Sequence, residues 1–206
     1  MCGVRVSDSA RHQCVSIWKA KNQSAGIAVY SPEVHGTTRR SDISNETEEG
    51  GLQVIIFIDG SVTGNPGGLV GFGWYCPDTE EEGNGVAYQG GSSATNNASE
   101  WMAAAAALIY VLGQYYDIVD TVTIRSDSEL LVNQLNGKWR VRHSNLKPMA
   151  AIVNLLIEEL ESRNMKVVAE WIPREENKVA DVLSRKTVKS LLKERRAMTM
   201  REINDE

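Results

Sequence analysis

The first strong hydrophobic run in the chain is LQVIIFID, which begins at Leu52. A nearly continuous stretch of β-branched residues is typical of a strand that is buried on both faces of a sheet. The residues before it are polar, rich in turn formers and without periodicity, so they predict an extension or linker over residues 1–50. Within that extension, CVSIW and GIAVY could pair as a small hairpin, or the region could be partly disordered. The folded domain is therefore predicted to begin near Gly50.

The rest of the chain alternates between strand and helix patterns. GFGWYC and GVAYQGG predict two further strands, and the spacing of Trp101, Ala105, Leu108 and Leu112 predicts a helix over residues 97–113. Later segments predict a strand, a short helix, a longer helix, a strand and a last helix. In order, they are TVTIRS, SELLVNQLNG, LKPMAAIVNLLIEELESRN, KVVAEWIP and NKVADVLSRKTVKSLLKERR. The order β-β-β-α-β-α-α-β-α predicts an α/β domain, a five-stranded mixed sheet flanked by helices.

The composition limits the classes of function. With 42% hydrophobic and 24% charged residues the chain resembles an ordinary soluble globular protein, and its net charge of −5 argues against coating nucleic acid through bulk charge. Bases still gather at residues 138–147 and 185–201, where they form either solvated faces or an interaction surface. The three cysteines form no CxxC pair, and no apolar run approaches the roughly 18 residues of a membrane span. We therefore expect a cytoplasmic protein, a monomer without a membrane partner.

Four acidic residues occupy comparable places in the predicted fold. Asp59 ends the first strand, Glu100 lies in the first turn of the first long helix, Asp127 follows the fourth strand and Asp181 lies in the last helix. A carboxylate directly after a buried strand is costly unless a cation or hydrogen-bond donors meet it. Because strand ends converge at one edge of an α/β sheet, we expect the four carboxylates to meet there. Oxygen ligands without His or Cys favour Mg²⁺ or Mn²⁺ over zinc.

Each acid taken singly also has a structural explanation. Glu100 could close a capping box begun by Asn97, and Asp127 could lie at the first position of a helix capped by Ser126. Asp59 could open a turn, and Asp181 could face solvent. These alternatives weaken when the four acids are considered together, because mutual repulsion at one edge calls for cations between them.

Four motifs, in the same order along the chain, resemble those of the type 1 ribonuclease H family. They are IDGSVTGNPGG, ATNNASEWMAAAAAL, IRSDSELLVNQLNG and WIPREENKVADVLSR, within residues 52–186. The resemblance implies a ribonuclease H-like fold, with a catalytic domain over residues 51–186. The basic, helix-forming residues that follow predict a basic helical tail over residues 187–206.

The resemblance also implies a reaction. The protein would hydrolyse the RNA strand of an RNA/DNA hybrid with two Mg²⁺ ions, for which Mn²⁺ could substitute, and leave 5′-phosphate and 3′-hydroxyl ends. Asp59 would bridge both ions, Glu100 and Asp127 would complete one ion site, and Asp181 would complete the other. Whether double-stranded RNA is a second substrate stays open.

Substrate contacts follow from the same resemblance. Asn65, Asn96 and Asn97 would contact the groove of the hybrid and sense ribose 2′-hydroxyls, which distinguish RNA from DNA. Thr95 and Asn177 would hold a phosphate of the DNA strand, a contact that positions the duplex without recognising its sequence.

The chain departs from the family pattern in two places. The loop PREEN carries Arg174 where many members have a histidine, which resembles one branch of the family. Arg174 would contact the substrate there, or it could be an exposed loop residue. Only GKWRVRHSN separates the two middle helices, where several members carry a basic insertion. Trp139, with Lys138, Arg140 and Arg142, could supply a smaller stacking and phosphate surface, or Trp139 could belong to the core.

Two other functions are alternatives to this one. The chain could be a binding module in which the metal site is vestigial, or a related metal-dependent nuclease such as an exonuclease or junction resolvase. Exonucleases and junction resolvases of this type usually place their first two acids close together in the first strand, and IDGSV does not have this arrangement.

Overall fold

The protein is described from a computed structural model, over residues 40–88, 91–115 and 118–204. The hairpin predicted from CVSIW and GIAVY lies outside these residues. Five strands form one sheet in the order β3-β2-β1-β4-β5. They are β1 (Gln53–Val62), β2 (Leu69–Cys76), β3 (Glu81–Tyr88), β4 (Thr121–Ser126) and β5 (Lys166–Trp171).

Four α-helices flank the sheet in the described part of the chain. They are α1 (Asn96–Gln114), α2 (Glu129–Leu135), α3 (Lys147–Glu161) and α4 (Lys178–Asn204). Short 3₁₀ turns lie at Arg40–Asp42, Gly91–Ser93 and Arg174–Glu176. The order of elements confirms the predicted β-β-β-α-β-α-α-β-α pattern. Among the described residues, no helix combines the length and the apolar character needed to cross a membrane.

The sheet is mixed, as predicted. Its central strand β1 pairs antiparallel with β2 and parallel with β4, while β3 and β5 form the two edges. Strand β3 begins at Glu81, earlier than the segment GVAYQGG suggested, because a tight turn with a positive φ of 55° at Glu80 brings the chain back beside Cys76. The acidic residues at its start therefore lie on an edge strand, where charged side chains are tolerated.

One face of β1 carries Val54, Ile56 and Ile58, all fully buried, and α1 packs against it. On α1, Trp101 and Leu108 are buried in the same core, which confirms the predicted apolar face of this helix. A fully buried side chain of this size contributes about 1.5–3 kcal/mol to folding. This packing positions the first turns of α1 beside the carboxyl end of β1.

Helix α4 packs against the opposite face, where it contacts β1, β2 and β3. Gly71 and Gly73 of β2 allow the approach, because a Cβ atom at Gly73 would lie only 2.5 Å from the backbone nitrogen of Ser184. A Cβ at Gly71 would likewise collide with the carbonyl oxygen of Ser184. The glycines of GFGWYC thus set how closely the last helix lies on the sheet.

The structure shows no break at either predicted boundary of the domain, near Gly50 or at residue 187. Ile43 is buried in the core, and the backbone nitrogen of Gln53 donates to the carbonyl oxygen of Asn45 at 3.0 Å, so residues just before Gly50 pack on the domain. Helix α4 passes through residue 187 without a break, and Val188 is buried. The division of the chain into an extension over residues 1–50, a catalytic domain over residues 51–186 and a tail over residues 187–206 stays a prediction.

Candidate active site

Three of the four acids predicted at the sheet edge meet in the structure. Asp59 near the end of β1, Glu100 on α1 and Asp127 directly after β4 each offer a carboxylate oxygen within 4.8 Å of the other two. The parallel pairing of β1 with β4 explains the meeting of the two aspartates, because both strands end at the same edge.

Glu100 lies in the second turn of α1 rather than the first. Thr95 caps this helix, with its side-chain oxygen accepting from the backbone nitrogen of Ala98 at 3.2 Å. A capping box begun by Asn97 is therefore wrong. Glu100 accepts a hydrogen bond from the backbone of Gly60, while its Oε2 is buried and has no hydrogen-bond partner.

Gly60 explains how α1 brings Glu100 so close to β1. A Cβ atom at this position would collide with the backbone carbon of Ser99 and the backbone nitrogen of Glu100. Any other residue would therefore push the helix away from the strand. The glycine of the DGS segment thus has a packing role as well as a place beside Asp59.

Asp127 precedes α2 and does not lie inside it. The cap of that helix is Ser128, whose side chain accepts from the backbone nitrogen of Leu131 at 3.4 Å, so a cap at Ser126 is wrong. Two side chains hold Asp127. Asn177 Nδ2 donates to its Oδ1 at 3.0 Å, and Trp171 Nε1 donates to its carbonyl oxygen at 3.2 Å.

Asn177 is buried, whereas a residue that binds a phosphate is expected at the surface. Only 1% of it is exposed, and its Nδ2 also donates to the carbonyl oxygen of Ile58 at 2.8 Å. Both amide hydrogens are therefore engaged inside the protein. The expected contact between Asn177 and a DNA-strand phosphate is at odds with this burial, and the side chain instead links the ends of β1 and β4. The phosphate contact of Thr95 stays a prediction.

Asp59 is held from the opposite face of the sheet. Ser184 of α4, itself fully buried, donates from Oγ to Asp59 Oδ2 at 2.6 Å. The close approach of α4 over Gly71 and Gly73 puts the serine within reach. No feature of the sequence marks Ser184 as a site residue, because its role depends on the distance between helix and sheet.

Burial shapes the electrostatics of the three-acid cluster, by which we mean Asp59, Glu100 and Asp127. Burial, with a smaller effect of the charge of Asp127, raises the pKa of Asp59 to about 6, and the Ser184 hydrogen bond partly opposes this rise. Burial also raises the pKa of Glu100 well above its usual range, with the charges of the two aspartates adding to the effect. Three oxygen donors, one of them buried without a partner, fit a hard divalent cation.

Asp181 lines the same cleft, of about 290 Å³, but is not part of the cluster. Its Oδ1 accepts from Arg174 Nη2 at 2.9 Å, and its Oδ2 is ion-paired with Arg185. The expected meeting of four acids is therefore found for three, while the fourth is held at the rim by two guanidinium groups. Arg174, expected to bind substrate, lines this cleft as well.

A second hollow, of about 200 Å³, adjoins the cleft. Asn96 lines both. The remaining residues of the second hollow are Asn65, Thr95, Asn97, His143, Asn145 and Leu146. The structure thus brings four of the expected substrate-contact residues together.

Two residues of this hollow, His143 and Asn145, were not expected from the sequence. They lie in the segment between α2 and α3, and Asn145 Nδ2 donates to the carbonyl oxygen of Ser92 at 3.2 Å. Trp139, in the same segment, is 47% exposed, so it does not belong to the core. Its role as a stacking surface stays a prediction.

Residues 57–187 match the sequence profile of the reverse transcriptase-like family. The chain belongs to this family. Among relatives, a bifunctional protein of Mycobacterium tuberculosis is 30% identical over 137 residues, which are 65% of this chain and 35% of that protein. The chain thus spans about a third of the length of that relative. Ribonuclease HI of Halobacterium salinarum is 26% identical over 173 residues, 82% of this chain and 81% of that enzyme.

Solved structures of this family share the fold. LC11-RNase H1, solved in complex with an RNA/DNA hybrid, superposes with a TM-score of 0.58 at 30% identity, covering 68% of this chain and 99% of the other. RNase H1 from Halobacterium salinarum superposes with a TM-score of 0.56 at 26% identity, covering 67% and 98%. The family member described here therefore has an RNase H-like domain, and the predicted fold class is confirmed.

Proposed function

We propose that the protein is a type 1 ribonuclease H, a metal-dependent endoribonuclease that hydrolyses the RNA strand of RNA/DNA hybrids. The observation that carries the proposal is the three-acid cluster, in which Glu100 Oε2 is buried without a hydrogen-bond partner, in a cleft that adjoins an asparagine-lined hollow. A relative named ribonuclease HI and a similar structure solved with an RNA/DNA hybrid support it.

Divalent cations account for the chemistry of the cluster. Asp59, Glu100 and Asp127 would hold one Mg²⁺, and Asp59 with Asp181 would hold a second, Mn²⁺ being able to replace either. When bound, such ions lower the pKa of water and stabilise negative charge on the departing oxygen. In the hydrolysis a water oxygen bonds to phosphorus and the bond to the 3′ oxygen breaks, which leaves 5′-phosphate and 3′-hydroxyl ends.

The protein side chains have the task of orientation. Ser184 fixes one oxygen of Asp59, and Asn177 fixes one oxygen of Asp127. Such supporting hydrogen bonds leave the remaining oxygens turned toward a shared cation. Because the donors are buried, the carboxylates keep their orientation when substrate enters.

The asparagine-lined hollow supplies recognition. Amide groups of Asn65, Asn96 and Asn97 donate and accept, which suits ribose 2′-hydroxyls and the edges of bases in the wide minor groove of a hybrid. Asn96 also lines the acid cleft, so a strand held by these amides would pass the cluster. Arg174, in place of the histidine of many relatives, would contact a phosphate, and exposed Trp139 would stack on the DNA strand.

The test is incubation of the purified chain with an end-labelled RNA/DNA hybrid in Mg²⁺ and in EDTA, beside matched DNA and RNA duplexes. We expect cleavage of the RNA strand of the hybrid in Mg²⁺ alone, with 5′-phosphate ends. Binding of the hybrid without cleavage in any divalent ion would favour the binding module. Cleavage of DNA would favour a related nuclease, and the RNA duplex decides whether double-stranded RNA is a substrate.

A further inference from the structure

We propose that Arg174 and Arg185 are a phosphate-binding pair that holds Asp181 in the free protein and exchanges it for a phosphate of the bound strand. The inference deepens the proposed function and rests on it, because the ligand is a phosphodiester in the acid cleft. It assigns a role to Arg185, and it makes the availability of Asp181 depend on substrate.

Both oxygens of Asp181 are occupied in the free protein. Arg174 Nη2 donates to Oδ1 at 2.9 Å, and Arg185 pairs with Oδ2 while its Nε donates to the carbonyl oxygen of Asp181 at 3.1 Å. A cation that needed an Asp181 oxygen would have to displace a guanidinium group first. The three-acid cluster requires no such displacement, since Glu100 Oε2 has no hydrogen-bond partner.

The two guanidinium groups are accessible to a ligand. The side chain of Arg174 is 69% exposed and that of Arg185 is 44% exposed, whereas the side chain of Asp181 between them is 19% exposed. Ion pairs this open to water are weak, so a competing anion can replace the carboxylate. Guanidinium matches the geometry of phosphate with two parallel hydrogen bonds, as it does for a carboxylate.

Charge favours the same exchange. Among the residues that line the cleft, Arg174 and Arg185 are the basic ones, and Asp59, Glu100, Asp127 and Asp181 are the acidic ones. A strand entering this acidic cleft would find its favourable phosphate contacts at the two arginines. When the arginines move to phosphate, both Asp181 oxygens become free at the rim of the cleft.

The exchange couples two binding events. Without nucleic acid, the cluster would hold one cation and Asp181 would remain paired with arginine. With a phosphate on the arginines, Asp181 would become available as a ligand for a second cation. Removing Arg185 should therefore make Asp181 available without substrate and at the same time weaken substrate binding.

The first arm of the test counts ions on the protein alone. Mn²⁺ binding to the full chain is followed by electron paramagnetic resonance for wild type, Arg185→Gln and Arg185→Lys. We expect wild type to bind one tight ion, and Arg185→Gln to bind a second about tenfold more tightly than wild type does, because a charge-assisted bond no longer competes. Arg185→Lys, which keeps the charge but lacks the fork, should lie between them.

The second arm measures hybrid binding in EDTA, where no divalent cation takes part. Arg185→Gln should bind about tenfold more weakly, and the slope of log affinity against log salt should flatten by about 0.9, as expected for one lost phosphate contact. The matched control is Lys166→Gln, which removes one positive charge from an exposed position at the start of β5, at the end of the strand away from the acid cleft. The control should change neither the number of bound Mn²⁺ ions nor the affinity and salt slope of hybrid binding.

The two arms separate the outcomes. Equal Mn²⁺ binding by wild type and Arg185→Gln would overturn the proposal, whatever the enzyme does to hybrids. Equal hybrid affinity and salt slope would overturn it as well. If wild type neither binds nor cuts hybrids, the proposed function fails, and the exchange, which rests on it, fails in the second arm even where the ion count changes.

Discussion

The two helices that flank β1 present their carboxylates in opposite states. Helix α1 brings Glu100 to the sheet edge buried, with one oxygen lacking any partner. Helix α4 brings Asp181 to the same cleft with both oxygens in ion pairs. Both helices lie close to the sheet over glycines, so the difference comes from the neighbouring side chains and not from the distance of the helix.

This contrast shows that a site can have one half, here the α1 side, ready for a ligand before substrate binds. We call this side the prepared half. A buried carboxylate without a partner costs stability, and proteins keep such groups where a ligand will meet them. An ion-paired carboxylate costs little stability, and it is released when a competing anion binds its partners. By our proposal, the α1 side would bind a cation in the absence of substrate, while the α4 side would become available only when substrate is bound.

The largest expected effect comes from breaking the prepared half. Asp127→Asn should slow cleavage of the RNA/DNA hybrid by about a thousandfold or more, because metal activation supplies several kcal/mol of transition-state stabilisation. The measurement is the initial rate in Mg²⁺. Glu158→Gln removes a carboxylate from an exposed position of α3 and should leave the rate unchanged. An Asp127→Asn rate near that of wild type would remove the cluster from the mechanism.

The cost in stability of the three-acid cluster should appear as a pH dependence of the free energy of unfolding in EDTA. Between the usual pKa of Asp59, 3.8, and its raised value of about 6, the folded chain keeps a proton that the unfolded chain has released. The free energy of unfolding should therefore fall as the pH rises through this interval, by up to about 3 kcal/mol. Glu100 extends the fall to higher pH, because its pKa is also raised.

Asp59→Asn isolates this contribution. Denaturant unfolding across the pH range should show the variant gaining stability over wild type as the pH rises from 4 to 6, with Mg²⁺ closing the difference. A variant that loses stability relative to wild type over the same interval would show that folding does not raise the pKa of Asp59.

The closeness of α4 is tested at the glycines beneath it. Gly73→Ala should lower the free energy of unfolding by about 1–3 kcal/mol, because the added methyl group meets the backbone of Ser184. Gly113→Ala is the matched control, since a Cβ there meets nothing within 4 Å. It should raise stability by about 0.4–1 kcal/mol through the unfolded chain. If Gly73→Ala and wild type had the same free energy of unfolding in denaturant titrations, α4 could shift away from the sheet without cost.

The smallest effect is expected for the hydrogen bond across the sheet. Ser184→Ala should weaken Mn²⁺ binding by about tenfold, as is usual when a residue that orients a ligand is lost. Calorimetric titration of the protein without nucleic acid measures this directly. Ser190→Ala, at an exposed position of the same helix, is the control. Unchanged affinity in Ser184→Ala would mean that Asp59 needs no support from α4.

Much of the fold was open to prediction because the signals are local. The apolar run of β1, the helical spacing on α1 and the order of elements need no knowledge of tertiary contacts. The meeting of Asp59 with Asp127 follows from the rule that parallel strands end at one edge. Each of these depends on periodicity or topology, which the sequence displays.

The parts that escaped prediction depend on distances between elements. Arg185 lies four residues after Asp181, a spacing shared by any exposed ion pair on a helix, so it does not mark a site. The burial of Asn177 depends on how the 3₁₀ turn before α4 meets the sheet. His143 joins the second hollow through the path of an irregular segment, which has no periodicity to predict it.

The position of α4 in the chain bears on how the protein is made. Domains form as the chain emerges from the ribosome, and α4 follows all five strands. Ser184 and Asn177, which orient Asp59 and Asp127, arrive with or just before that helix. A chain still in synthesis would therefore have its first carboxylates in place without the donors that orient them. The donors that orient Asp59 and Asp127 are therefore in place only after the start of α4 has been made.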